Sequence, residues 1–293
     1  MCFAYLKECN VCGSKYIKKK NTYKSNKLNK FLHKYYKVNK LKILEKFTLE
    51  MFECENCSHI FQGKVLSDEK IYYFYNDIIN VREKCLEKND KTYSNICLSK
   101  KISKKLKKKI KILDFGSGYT TYDKNDINLN FYTYDISKKK SSSNINSIND
   151  LKKHKFDFII ANQIFEHLKY PKLNFKILYQ ILNKDGIIKL EIPSSFFFSF
   201  KFFLLKLIGP KKIILQDFFP IEHINLFSKE SLDQLTYCLK KEHIENYFWI
   251  ENKKNFKNIV KYLSIKFLFF RILSSLLLLK NGGHYLILKK KIY

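Results

Sequence analysis

The feature that most constrains this chain is the run Ile112-Leu113-Asp114-Phe115-Gly116-Ser117-Gly118, followed by Tyr132-Thr133-Tyr134-Asp135. Each is a short apolar stretch ending in a carboxylate, and the first opens into a glycine turn. A parallel strand delivers a nucleotide-like ligand to its carboxyl end in this way. Gly116 and Gly118 lack Cβ, so the backbone can bend sharply and bring its amides close to a ligand. Asp135 stands 21 residues after Asp114, close to the step of about 20 residues that sets a carboxylate on ribose hydroxyls. The pattern predicts a ligand-binding α/β enzyme.

The rest of the chain supports that class. Ile102, Leu106 and Ile110 recur four apart among lysines, which predicts an amphipathic helix ahead of the first strand, its apolar stripe on a sheet and its lysines in water. Strands are expected at 111–115, 131–135, around 145–148, at 156–161 and at 187–192. A helix over 173–182 is stopped by Asn183-Lys184-Asp185-Gly186. Beyond it follow an insert at 196–219, a helix over 229–240, a strand near 247–250, an apolar helix over 265–279 and a closing strand over 284–289. Strands alternating with helices imply a doubly wound parallel sheet. Asp157 lies within its strand, before the carboxyl edge, and reads as structural. Asn162 and Gln163 end the fourth strand, at the edge where open α/β sheets hold ligands.

Two cysteine pairs, Cys9-Asn10-Val11-Cys12 and Cys54-Glu55-Asn56-Cys57, precede this region. Four thiolates in two such pairs suit tetrahedral Zn2+, so Cys9, Cys12, Cys54 and Cys57 are the expected ligands of a structural zinc ion. Four unrelated thiols are the alternative. The intervening 41 residues, 13–53, exceed the usual spacing of about 15 to 20 and form a lysine-rich loop. Cys2, Cys85, Cys97 and Cys238 have no partner pattern and read as ordinary thiols.

The net charge of +29 would ordinarily suggest a polyanionic partner. Only Arg82 and Arg271 are arginine, however, and specific phosphate and base recognition favours the guanidinium fork over lysine. The lysines therefore read as solvated faces, with no specific nucleic-acid partner. No basic-then-apolar leader is seen at the start, and the cysteine pattern is not that of a secreted disulfide framework, so a reducing cytoplasm is expected. The apolar runs 196–208 and 267–279 are shorter than the roughly 18 to 20 residues that span a bilayer. They read as a lid or core helices; a sharper reading lays them on the inner face of a membrane with lysines at the lipid phosphates.

From Lys111 onward the chain resembles the class I S-adenosylmethionine-dependent methyltransferases. The likeness is carried by Ile112 to Gly118, Asp135, Phe156-Asp157-Phe158-Ile159-Ile160, Phe165-Glu166-His167-Leu168 before Tyr170-Pro171, Leu182 to Gly186, Glu191-Ile192-Pro193 and Glu222-His223-Ile224-Asn225-Leu226-Phe227-Ser228. The four-cysteine front is similar to that of a subgroup acting on sugars and small metabolites. The resemblance implies a Rossmann-like, seven-stranded, mainly parallel sheet with helices on both faces, behind a small N-terminal zinc ribbon. It divides the chain into a ribbon with a lysine-rich insert over 1–66, a helical linker over 67–110 and a catalytic domain over 111–293, of which 196–245 covers the acceptor.

S-adenosylmethionine is the implied cofactor, with Asp114, Gly116, Gly118, Asp135, Asp150, Asn162 and Gln163 as its expected contacts. Asp114 is expected to face the amino group of the methionine moiety, and Asp150 to lie near the adenine. Thr120 stands where relatives often have a third glycine. Glu166, His167, Glu222 and His223 are the candidate catalytic groups, since imidazole titrates near neutrality and a carboxylate can hold its tautomer. The implied acceptor is a small molecule of carbohydrate type. In sugar C-methyltransferases a tyrosine commonly stands two residues before the Glu-His pair; here that place is Pro220, which leaves O- or N-methylation. A non-catalytic ribbon protein binding nucleic acid, or an RNA methyltransferase, are the alternatives. The latter has little support, because Asn162-Gln163-Ile164-Phe165 replaces an Asn-Pro-Pro-Tyr motif after the fourth strand.

Overall fold

The computed structural model describes residues 3–23, 48–79, 90–118, 120–122, 126–137, 145–193, 221–249 and 280–290. The insert expected at 196–219, the apolar helix at 265–279, most of the lysine-rich loop, Cys2 and Cys85 lie outside them.

The main sheet has six strands among the described residues, β6 (Ile110–Phe115), β7 (Leu129–Tyr134), β8 (Phe156–Asn162), β9 (Leu182–Pro193), β11 (Leu239–Trp249) and β12 (Lys280–Lys290), in the order β11-β12-β9-β8-β6-β7. β7, β6, β8 and β9 are mutually parallel. β12 is antiparallel to both β9 and β11. The sheet is thus mainly parallel, as expected.

Strand alternation assigns its two faces. Ile110, Ile112, Phe158 and Ile160 pack with Ile102 of α2 (Asp90–Leu106) on one side. Leu113, Phe115, Ile159 and Ala161 pack on the other with Phe175 and Leu178 of α4 (Pro171–Ile181) and Leu232 and Leu235 of α5 (Lys229–Thr236). Each such side chain removed from water contributes about 1.5 to 3 kcal/mol. A one-residue slip in any strand would exchange the faces, so the register is firmly set. Earlier helical segments are α1 (Asp68–Tyr73), which runs into a π-helical turn (Phe74–Ile79).

Two expectations are corrected. The strand placed around 145–148 is a single parallel bridge, Tyr134↔Ile145, and Ile148 already begins a short helix, α3 (Ile148–Leu151). Ser147 explains the change: its Oγ accepts the Asp150 backbone N–H at 3.0 Å, an N-cap that favours a helix start over extended pairing. The strand expected at 187–192 begins earlier, at Leu182, directly after α4, so that Asn183 to Gly186, which mark the helix stop, lie within β9.

The N-terminal part is built on the four-stranded antiparallel sheet β10-β4-β3-β2, from β2 (Ile17–Tyr23), β3 (Leu49–Cys54), β4 (Ile60–Gln62) and β10 (Asn225–Leu226). A separate pair joins β1 (Phe3–Tyr5) to β5 (Lys64–Leu66). The strand β10 belongs by sequence to the Glu222–Ser228 motif, yet it pairs with β4 through Asn225↔Phe61 and Leu226↔Ile60. Cys9, Val11, Cys54, Cys57 and Phe61 accordingly share one core with Phe227 and Leu232.

Candidate cofactor and acceptor site

The carboxyl ends of β6 and β7 place Asp114 and Asp135 beside the glycine turn. Gly118 donates its backbone N–H to Asp135 Oδ2 at 2.9 Å, and Ser137 donates its own to Oδ1 at 2.8 Å. The turn is tied to the neighbouring strand by Gly116 N–H to the Tyr134 carbonyl at 2.8 Å. Gly116 and Gly118 have φ of +78° and +58°, the left-handed region that favours glycine. A Cβ on Gly116 would stand 2.7 Å from Ile164 side-chain atoms, so this bend admits no side chain. Thr120 caps the turn from the other side, its N–H bonded to the Ser117 carbonyl at 3.0 Å.

Asp114 is buried on the α2 side of the sheet and accepts the Tyr122 hydroxyl at 2.8 Å on Oδ2. Tyr122 in turn stacks flat on Phe131, ring centroids 3.9 Å apart. Burial pushes the Asp114 carboxyl up to about 6, reinforced by the charge of Asp135 and opposed by the Tyr122 hydrogen bond and by Lys189. Beyond the apolar layer the same face turns polar: Lys189 Nζ donates to Asn95 Oδ1 at 2.7 Å, Asn162 Nδ2 donates to the same oxygen at 3.3 Å, and Glu191 Oε2 lies 3.9 Å from Lys189. Asn95, Tyr122, Lys189 and Glu191 were not picked out as site residues from sequence. The signal was there in Ile187-Ile188-Lys189-Leu190-Glu191, where two charges interrupt an otherwise apolar strand.

The donor set fits S-adenosylmethionine. The turn is a cradle with no room for a Cβ, two carboxylates flank it, and Ser117 Oγ and Asn162 Oδ1 are buried without a hydrogen-bond partner. Gln163 is exposed and left-handed, φ +50°, with its N–H on the Glu191 carbonyl at 2.7 Å. Asp150 sits in α3, its carboxylate 3.7 Å from Lys153 Nζ. Asp157 is at the opposite end of the sheet, held by Lys108 Nζ at 2.7 Å, Lys111 N–H at 2.9 Å and Asn183 Nδ2 at 2.8 Å. Burial works against its ionisation, but those three donors prevail and its pKa is lowered.

Glu166, His167 and His223 come together. A 3-10 turn (Phe165–His167) follows β8 directly, and Ile164, which seals against Gly116, precedes it. The rings of His167 and His223 meet edge to face, centroids 4.7 Å apart. His167 Nδ1 lies 2.9 Å from the Glu222 carbonyl; a carbonyl only accepts, so Nδ1 carries a proton. Its Nε2 is 3.8 Å from Glu166 Oε1. Glu222 is buried, and the β-branched Ile221 before it has φ +84°, a strained backbone at the entry to the segment.

The four cysteines converge as well. Cys9 Sγ is 3.7 Å from Cys57 Sγ and Cys12 Sγ 3.5 Å from Cys54 Sγ, with all four sulfurs within 4.8 Å of one another. Tetrahedral sulfurs at about 2.3 Å from zinc are about 3.8 Å apart, so the set suits that ion. Asn225, fully buried, links this ribbon to the Phe165–Leu168 segment: its Oδ1 accepts from Asn10 Nδ2 at 2.7 Å and lies 3.2 Å from His59 Nε2, while its Nδ2 donates to the Leu168 and Phe165 carbonyls at 2.7 and 3.1 Å. Gln62 of β4 adds a bond from Nε2 to the His223 carbonyl at 2.8 Å.

A mainly parallel sheet with a glycine turn and paired strand-end acids, with β12 antiparallel to β9, is the setting in which open α/β folds hold nucleoside-like ligands. A sequence profile of the methyltransferase-domain family matches residues 91–237, just over half of the chain, and the chain belongs to that family. It is an S-adenosylmethionine-dependent methyltransferase. Among solved structures, it is similar to the plantazolicin methyltransferase BamL in complex with a triazolic desmethylPZN analogue and SAH, at 12% identity over 76% of this chain and 94% of that one, TM-score 0.49. A SAM-dependent methyltransferase from Archaeoglobus fulgidus matches at 14% identity over 66% and 93%, TM-score 0.41. The cyclopropane synthase MmaA2 from Mycobacterium tuberculosis matches at 14% identity over 65% and 83%, TM-score 0.40. No curated protein matches the sequence. No described helix is long and apolar enough to cross a membrane.

Proposed function

We propose that the chain methylates an oxygen or nitrogen of a small acceptor of carbohydrate type, bound against Glu166, His167, Glu222 and His223. The observation that carries this is the adjacency of two sites across one contact: Gly116, in the glycine turn, packs on Ile164, two residues before Glu166. Methyl transfer from a sulfonium is an in-line displacement, served by positioning and exclusion of water more than by elaborate proton transfer. In this reading Asp135 takes the ribose hydroxyls, Asp114 the amino group of the methionine moiety, the Gly116–Gly118 amides its carboxylate, and Asn162, Gln163 and Asp150 line the remaining pocket. S-adenosylmethionine supplies the electrophilic methyl; the histidine end orients the acceptor and assists the loss of its proton.

The carbohydrate class rests on the likeness of the four-cysteine front to the sugar-methylating subgroup, and Pro220 argues for a heteroatom over carbon. Cys9, Cys12, Cys54 and Cys57 hold structural zinc in this reading, in a reducing cytoplasm. Incubation with radiolabelled S-adenosylmethionine and a panel of nucleotide-linked sugars tests it. Label transferred to a sugar that His223→Ala abolishes supports the reading; transfer confined to RNA, peptide or lipid overturns the acceptor class.

A further inference from the structure

We propose that Glu166, His167 and His223 form a second metal centre, a two-histidine, one-carboxylate site for a first-row divalent cation with open positions for the acceptor. The inference deepens the methyl-transfer reading above and rests on it. One ligand atom from each of the three residues lies within 4.8 Å of the others. Ligand atoms about 2.1 Å from an ion stand about 3 to 4.2 Å apart, so the set closes by under about 2 Å when the ion enters. The pair Glu166 Oε1 and His167 Nε2, at 3.8 Å, is already within that range.

The protonation pattern suits the role. A metal-bound histidine characteristically donates its other N–H to a carbonyl or carboxylate, which fixes the tautomer and aims the ring. His167 does this, with Nδ1 on the Glu222 carbonyl at 2.9 Å, and its Nε2 is turned toward Glu166. The carboxylate of Glu166 is only 1% exposed, and a buried carboxylate gains most from a cation, since little water competes for it. His223 is held from outside the site: Gln62 Nε2 bonds its carbonyl at 2.8 Å. The backbone is thus anchored, and the ring packs edge to face on that of His167.

The donor set also bears on the ion. Imidazole nitrogen suits iron, nickel or zinc, and carboxylate oxygen also admits manganese; three protein ligands leave room for a substrate atom, unlike the closed four-cysteine set. An ion there would act as a Lewis acid, lowering the pKa of an acceptor hydroxyl so that its proton leaves to solvent and the oxygen stays on the metal. No change of oxidation state is involved. The site begins two residues beyond Ile164, which packs on Gly116 of the turn expected to hold the methyl donor.

Mn2+ tests the inference on the full chain with its ribbon zinc in place, because Mn2+ binds thiolate poorly and leaves that site alone. Electron paramagnetic resonance of free Mn2+ should show one ion bound per chain, and His223→Ala and Glu166→Gln should each weaken binding at least about tenfold. Zinc content, circular dichroism and S-adenosylhomocysteine affinity should be unchanged in both variants, which shows that they fold. A wild-type chain that takes up no Mn2+, or variants that bind it equally well, overturn the metal centre. If S-adenosylhomocysteine still binds in that case, the methyl-transfer reading stands without the ion; if the wild type fails to bind S-adenosylhomocysteine, the reading itself falls and the ion's role with it.

Discussion

Both carboxylate oxygens of Asp135 are fixed by backbone amides, Oδ2 by Gly118 and Oδ1 by Ser137. The side chain is therefore aimed before any ligand arrives. Asp135→Ala should lower S-adenosylhomocysteine affinity about 30- to 100-fold in calorimetry, the loss of roughly two charge-assisted hydrogen bonds. An affinity within threefold of wild type would remove Asp135 from the ribose.

The raised pKa of Asp114, about 6, gives cofactor binding a pH dependence. In the folded apo chain this carboxyl holds its proton until the pH passes about 6, whereas unfolded it ionises near 3.8. Its contribution to stability is therefore full below about 4 and is lost as the pH rises through 6. A bound ammonium favours the ionised form, so S-adenosylhomocysteine affinity should rise between pH 5 and about 7 with release of a proton. Calorimetry in buffers of different ionisation enthalpy measures that proton; Asp114→Asn should abolish it.

Gly116→Ala faces two separable penalties. The left-handed φ of +78° costs an L-residue about 1 to 2 kcal/mol, and the Ile164 side chain at 2.7 Å adds a steric clash. Pairing the change with Ile164→Ala should relieve the second penalty and leave the first. Thermal denaturation of the two single variants and the double variant separates them; full rescue would show that the backbone conformation is costless.

Asn225 joins three segments far apart in sequence through four side-chain contacts. Asn225→Ala strands several buried partners and should destabilise the chain by about 3 kcal/mol or more in urea denaturation. If the four cysteines hold zinc as proposed, a chelator should likewise lower the melting temperature and suppress methyl transfer, since Gln62 of the ribbon holds the His223 carbonyl. Activity that survives chelation would make the ribbon a passenger.

Asp157 provides the contrast. Asp157→Asn should cost about 1 to 2 kcal/mol of stability while leaving S-adenosylhomocysteine affinity unchanged. Its folded pKa is lowered, so its contribution is present above about pH 4 and is lost as the pH falls below that. Denaturation at pH 7 and pH 3 should show the wild-type advantage shrinking at the acid end.

What the sequence could reveal was whatever depends on neighbours in the chain. The alternation of Ile110, Ile112 and Asp114 against Leu113 and Phe115 announced strand and faces, and the Gly116–Gly118 bend needs residues without a side chain wherever it occurs. The cysteine pairs were equally local. Asn225 was quoted within a motif but its work was invisible, because its partners Asn10, His59 and Leu168 come from three distant segments. Lys189 was hidden for a related reason: a buried lysine makes sense only once Asn95 of α2 is seen across from it. The failed strand at 145–148 was a contest between apolar residues favouring extension and one serine able to cap a helix, which composition alone does not decide.

The pairing of β10 with β4 sets a timetable for biosynthesis. The four cysteines and the strands β2 to β4 around them appear within the first 62 residues, but the sheet gains its edge strand only when Asn225 and Leu226 emerge. Until then the border of β4 is an open template for any passing strand. Early capture of zinc by the nascent chain, before the remainder is synthesised, would protect this half-built platform from aggregation, and cells starved of the ion should accumulate the protein as insoluble material.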